Sequence, residues 1–204
     1  MKIYEYKGFP SPRRVRIFLE EKGIDDIEFE QVDVPGGAAR REPMLSKNPL
    51  KQVPVLELDD GTCITEVSAI SRYFEEMKPE PALFGTTPVE KATVDMWQQR
   101  LDAGLMGGFV TYFHHATPGL GELETYQNKD WGEKSCERGI EMMHLINDQL
   151  EGKTFVAGEN FSIVDITAFC AVDFAGFCDI EVPAEAGNLH AWYDRVSNRP
   201  SSTA

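Results

Sequence analysis

Apolar positions in the first eighty residues change period several times, and each change marks an element. Ile3 stands alone between polar neighbours in KIYEY, so residues 2–6 read as a short strand. Residues 12–22 open with Pro12, carry Val15, Ile17, Phe18 and Leu19 as a buried side, and stop at Gly23. That is a helix with proline in its first turn and glycine at its end. IEFEQVDV (27–34) alternates as a strand, and PGGAARREP (35–43) is an irregular loop. Residues 53–58 and 63–65 read as two strands joined by the DDGT turn at 59–62, and 66–77 as the next helix. Beyond residue 78 the strand signals fade. Helical patterns occupy about 88–115, 132–151, 164–177 and 188–198.

The order β-α-β, loop, β-β-α is that of a thioredoxin-like domain, in which two halves share one mixed sheet. KPEPALFGTTPV (78–89) holds three prolines and reads as a connection. The fold class is therefore α/β plus all-α: a thioredoxin-like domain over 1–78, a linker over 79–89 and an all-helical domain over 90–204. In the helical half, Ser162 is placed to cap a helix, with Asp165 returning a bond to its backbone N–H and Phe161 and Ile166 as the flanking apolar pair. This motif is structural rather than catalytic.

Composition is that of an ordinary globular chain of 204 residues, 42% hydrophobic and 26% charged. Its apolar runs are too short to span a bilayer, so no membrane partner is expected. MKIYEYKG lacks the apolar core of an export signal. The net charge is −14, and residues 81–204 hold 8 basic against 18 acidic side chains. Such a field argues against nucleic acid as a partner. Cys63, Cys136, Cys170 and Cys178 are widely spaced, without metal-ligand spacing, so no metal is expected. They read as reduced thiols, and the location as cytoplasmic.

Candidate chemistry concentrates in NPLKQVPVLELDDGTCITEVSAISRYFEE (48–76). Proline makes a cis bond at Val53-Pro54 only modestly unfavourable. A cis bend there turns the backbone of Val53 toward a ligand, where an extended peptide can pair as an added strand. Glu66, Val67 and Ser68 lie at a helix start, whose free N–H groups favour a carboxylate. An acidic side chain for an amine, N–H groups for a carboxylate and a pairing backbone together suit a small peptide.

This segment resembles the glutathione-binding half of the cytosolic glutathione S-transferase family. The likeness continues through SPRRVRIFLEEKGI (11–24) and FVAGENFSIVDITAF (155–169), in the family's order. It implies an enzyme that adds the glutathione thiolate to small electrophiles. Glutathione is then a co-substrate, no other cofactor is implied, and a homodimer is expected. Val53 and Pro54 would meet the cysteinyl part of glutathione, Glu66 its γ-glutamyl ammonium, Val67 and Ser68 its γ-glutamyl carboxylate, and Lys51 and Gln52 its glycine carboxylate. Arg40 and Arg41 are possible supplements. The family places Ser directly after this Glu, where this chain has Val67.

A thiol with a pKa near 8.5 needs help to ionise. The family commonly supplies a hydroxyl near the end of the first strand. Ser11, at the first helix start, is one candidate, with an N-cap role as its alternative; Tyr6 is another. Alignment on Arg14-Val15-Arg16 puts the catalytic serine of theta- and zeta-like relatives at Pro10 or Phe9. GGFVTYFHHATP (107–118) is similar to a theta-related branch found in yeast and bacteria, in which a histidine of the helical domain helps hold a water near the sulfur. His115 matches that histidine, and Thr117 is a polar companion. Phe9, Met106, Phe109, Tyr112 and Phe113 are candidates for an apolar electrophile pocket, against core packing. A non-catalytic binding or regulatory member of the fold is the rival reading. A glutathione-dependent reductase or peroxidase is a third; a reductase would need a cysteine near the first helix start, which is absent.

Overall fold

Strand β1 (Lys2–Glu5) is paired on both sides: parallel to β2 (Glu28–Gln31) and antiparallel to β3 (Val55–Glu57). β3 in turn pairs antiparallel with β4 (Cys63–Thr65), so the sheet order is β2-β1-β3-β4. This mixed sheet is the thioredoxin-like arrangement expected from the element order. The computed structural model describes all residues, Met1–Ala204. They divide into two units, Met1–Pro81 with Leu120–Thr125 and Ala204, and Ala82–Gly119 with Tyr126–Thr203. The change of unit after Pro81 lies within the proline-rich connection. Leu120–Thr125, read as part of the helical half, groups with the first unit, where the Arg40 guanidinium donates to the Leu123 carbonyl at 2.8 Å.

In the first unit, helix α1 (Pro10–Lys22) begins two residues before the expected start. Both prolines sit where the backbone N–H has no intrahelical partner, so neither costs a bond. Gly23 closes α1 at φ 59°. The short helix α2 (Met44–Lys47) follows the irregular loop, and α3 (Val67–Met77) packs with α1. Ile3, Phe18, Leu56, Ile70 and Phe74 are sealed from solvent between sheet and helices. Glu5 and Lys22 are buried with them. Glu5 accepts from Arg16 Nε at 2.8 Å, Arg16 Nη2 at 2.6 Å and Gln31 Nε2 at 2.5 Å, tying β1, α1 and β2 together. Lys22 pairs with Glu75 of α3 and donates to the carbonyls of Pro79 (3.1 Å) and Pro81 (2.5 Å).

The second unit is helical: α4 (Pro88–Arg100), α5 (Gly107–Ala116), α6 (Lys129–Gln149), α7 (Ile163–Phe177) and α8 (Gly187–Ser197). Thr87 and Glu90 form a capping box at the start of α4. The single long helix expected over 88–115 is interrupted by a π-helical turn, Leu101–Met106. The sequence explains it. Trp97, Leu101, Leu105 and Phe109 recur every fourth residue, and on an α-helix each such step drifts by about 40°. A wider turn absorbs that drift, and all four side chains are buried.

Helices α5 and α6 approach so closely that a Cβ on Gly139 would lie 2.5 Å from the Phe109 ring, and one on Gly108 2.8 Å from the Ser135 carbonyl oxygen. At the start of α7 the box is formed as its spacing predicts. Asp165 Oδ2 accepts from Ser162 N at 3.0 Å, and Val164 N donates to Ser162 Oγ at 3.3 Å. Asp165 Oδ1 takes two further bonds, from Val156 N at 3.0 Å and Trp192 Nε1 at 2.9 Å.

Candidate active site

Glu66 joins β4 to α3 with φ 68° and ψ 128°, a left-handed value that side-chain-bearing residues rarely adopt. Its carboxylate is exposed and caps no helix N–H. The N–H groups in the first turn of the helix that starts at Val67 have no intrahelical carbonyl to bond. The Val67 side chain is buried, so that position offers a ligand its backbone, while Ser68 is half-exposed. β4 and β3 are neighbours, with Thr65 opposite Val55. Just before β3, the Val53-Pro54 bond is cis. Glu66, Val67, Ser68, Val53 and Pro54 thus stand at the ends of two paired strands.

The loop leading into Val53 is organised by a residue that the sequence reading did not single out. Asn48 is buried; its Nδ2 donates to the Gln52 carbonyl at 2.9 Å, and its Oδ1 accepts from Leu50 N at 3.0 Å. An asparagine that satisfies nearby backbone groups holds a turn in one shape. Its signal is present in the sequence as Asn-Pro between a helix and a strand. Lys51, at φ 62°, and Gln52 are presented on this loop with exposed side chains.

Ser11 lies in the first turn of α1, but Phe9, not Ser11, is the N-cap residue. The N-cap alternative for Ser11 is thereby corrected: helix formation began earlier, at Pro10. Ser11 Oγ accepts from Arg14 Nη2 at 3.2 Å. Tyr6 lies one residue past β1 and packs edge-on against Phe9, ring centroids 4.6 Å apart. Phe9 is half-buried.

His115 is in the last turn of α5. Its Nδ1 accepts the backbone N–H of Asn128 at 3.2 Å, and Thr117 is the C-cap of that helix. Tyr112 and Phe113 are half-buried, and Phe113 packs edge-on with Phe174 at 5.5 Å. Met106 and Phe109, expected among the pocket candidates, are corrected to core. Both are buried, and Gly139 leaves a slot that the Phe109 ring fills. All four cysteines are free, and burial pushes Cys178 up to about 11 and Cys136 above its ordinary value.

A thioredoxin-like unit with a cis proline before β3 and an acidic residue at a helix start, followed by a helical unit, is the architecture of a class of glutathione-handling proteins. Comparison with known proteins agrees. Residues 3–82 match the model described as glutathione S-transferase, N-terminal domain, and residues 101–200 match that for the C-terminal domain. Glutathione S-transferase 2 of Saccharomyces cerevisiae is 41% identical over 98% of this chain and 87% of its own length. The crystal structure of a glutathione S-transferase domain-containing protein from Marinobacter aquaeolei VT8 is 46% identical, with a TM-score of 0.96 over 98% of this chain and 99% of that one. Gtt2 from Saccharomyces cerevisiae superposes with a TM-score of 0.96 at 41% identity, over 100% of this chain and 99% of that one. The chain belongs to the glutathione S-transferase family, and it is a glutathione transferase. No helix is long and apolar enough to cross a membrane.

Proposed function

We propose that glutathione binds along the edge formed by residues 51–54 and 66–68. Val53 pairs its backbone with the cysteinyl residue, Pro54 shapes that step, and Glu66 takes the γ-glutamyl ammonium. The N–H groups of Val67 and Ser68 receive the γ-glutamyl carboxylate, and Lys51 and Gln52 the glycine carboxylate. The observation that carries this reading is the exposed Glu66 carboxylate held at positive φ at the start of α3. Glu66→Ala leaves the ligand's ammonium without its partner and should weaken glutathione binding by about 1–3 kcal/mol. Calorimetric titration checks it; an unchanged affinity would sink the assignment.

For the sulfur's partner we take His115 over Ser11. Ser11 Oγ is already engaged by Arg14, whereas the His115 ring is oriented by a backbone N–H. His115→Ala should lower conjugation turnover about 10²-fold, the scale for losing one donor to a developing anion, while Ser11→Ala should be mild. The reverse result would move the role to Ser11.

The electrophile is a small apolar molecule, and the half-buried Tyr112 and Phe113 of α5 support an apolar site for it. A twofold homodimer is the assembly we assign, since cyclic dimers are the commonest oligomers. Exposed Met77 on α3 and Val89 and Met96 on α4 support it. Sedimentation should give about twice the 22.9 kDa chain mass, and a 22.9 kDa species at micromolar concentration would contradict it. Four free thiols support a reducing, cytoplasmic setting.

A further inference from the structure

The His115 ring nitrogens are not equivalent. Nδ1 accepts the backbone N–H of Asn128 at 3.2 Å. A nitrogen that accepts a proton donor carries no proton of its own, so the neutral ring bears its hydrogen on Nε2. Three features of the second unit hold that contact. Asn128 is the N-cap of α6, its side chain accepting from Trp131 N at 3.0 Å, so its own N–H sits at a fixed helix start. Gln127 Nε2 donates to the carbonyls of His114 (2.9 Å) and Thr117 (2.5 Å), which closes the end of α5 onto the same segment. Gly132 lets α6 lie against that end, since a Cβ there would be 3.0 Å from Ala116 Cβ.

We infer that Asn128, through its backbone N–H, is a positioning residue that makes His115 a hydrogen-bond donor and not a base. This rests on the reading that His115 serves the glutathione sulfur. Nδ1 is occupied and Nε2 already carries a hydrogen, so the ring has no lone pair to receive the thiol proton. The S–H bond therefore breaks with its proton passing to solvent water. The electron pair stays on sulfur as the thiolate. Nε2–H donates to that thiolate, or to a water that itself donates to it. The sulfur then forms its bond to the electrophile as the leaving group departs with the electron pair of the broken bond or, in an addition, as the π pair moves to an atom that solvent water protonates, and His115 leaves the step in the protonation state in which it entered.

A donor and a base respond differently to one substitution. Glutamine supplies an amide N–H but cannot take up a proton at neutral pH. His115→Gln should keep turnover within about tenfold of the parent where His115→Ala loses about 10²-fold. The ultraviolet thiolate signal of bound glutathione should titrate near the parent's pH in the Gln variant and at higher pH in the Ala variant. Independently, long-range proton–nitrogen spectra of the labelled parent, above the pH at which the ring is protonated, should show His115 wholly as the Nε2–H form. The other histidines provide the comparison for an unconstrained ring. A mixed or Nδ1–H population at His115 would overturn the inference even if His115→Ala is inactive. His115→Gln as damaging as His115→Ala would overturn it too. A fully active His115→Ala enzyme would instead remove the reading on which the inference rests.

Discussion

Asp165→Ala is expected to be the most destabilising single substitution outside the apolar core, by about 4 kcal/mol or more. It strands four buried donors, Trp192 Nε1, Val156 N, Ser162 N and Ser162 Oγ, each at about 1–3 kcal/mol. It also removes the reciprocal half of the α7 capping box. Since domains are stable by only about 5–15 kcal/mol, urea denaturation should show most of the margin gone. A loss under about 1 kcal/mol would mean that water or a shifted backbone replaces the carboxylate.

The same carboxyl has a pH signature. Complete burial pushes it up to about 6 from an ordinary 3.8, against the pull of the donors aimed at it. Between those values the folded chain holds this proton more tightly than the unfolded chain does. Its contribution to stability is therefore greatest below about pH 4, falls as pH rises to about 6, and is level above. Asp165→Asn cannot titrate. Stability of the parent minus that of Asp165→Asn should decline across this window and nowhere else.

Lys22→Met should cost about 3–5 kcal/mol, the range for removing one partner of a buried ion pair. It leaves Glu75 charged and buried, and it takes the shared donor from the carbonyls of Pro79 and Pro81. Pairing it with Glu75→Leu should recover much of the loss, because two apolar groups leave no uncompensated charge. Denaturation of the single and double variants tests both halves of this expectation. A single variant as stable as the parent would show that Glu75 finds solvent.

Much of this architecture was legible before any coordinate. The alternation of 27–34 placed β2, the DDGT turn placed the β3–β4 hairpin, and Ser162 with Asp165 marked the start of α7. These are local signals, in which neighbours in sequence are partners in space. Val53-Pro54 and Glu66 likewise marked the cis step before β3 and the start of α3, the two features on which the proposed glutathione edge rests.

What was not legible depends on partners far along the chain. Lys22 reads as an ordinary helix-end charge until Glu75 and two carbonyls surround it. Met106 and Phe109 share the composition of a pocket wall, yet both are buried, Phe109 in a slot left by Gly139. Leu120–Thr125 carries no mark that it belongs with the first unit, since the Arg40 bond to it joins residues 83 apart in sequence. Asn48 was visible as a letter but not as the hinge pin of its loop.

The widened turn at Leu101–Met106 makes this stretch tolerant of a change in chain length. Phe109 and His115 both follow it on α5. Six residues in a wider turn sweep nearly the same angle as five at the ordinary spacing of about 100° each. Removing one residue there would let the turn close to ordinary α pitch while α5 kept its angular setting, and His115 would stay at the Asn128 N–H. A deletion at this point is therefore expected to spare the histidine, whereas one inside α5 before His115 would turn it by roughly 100°.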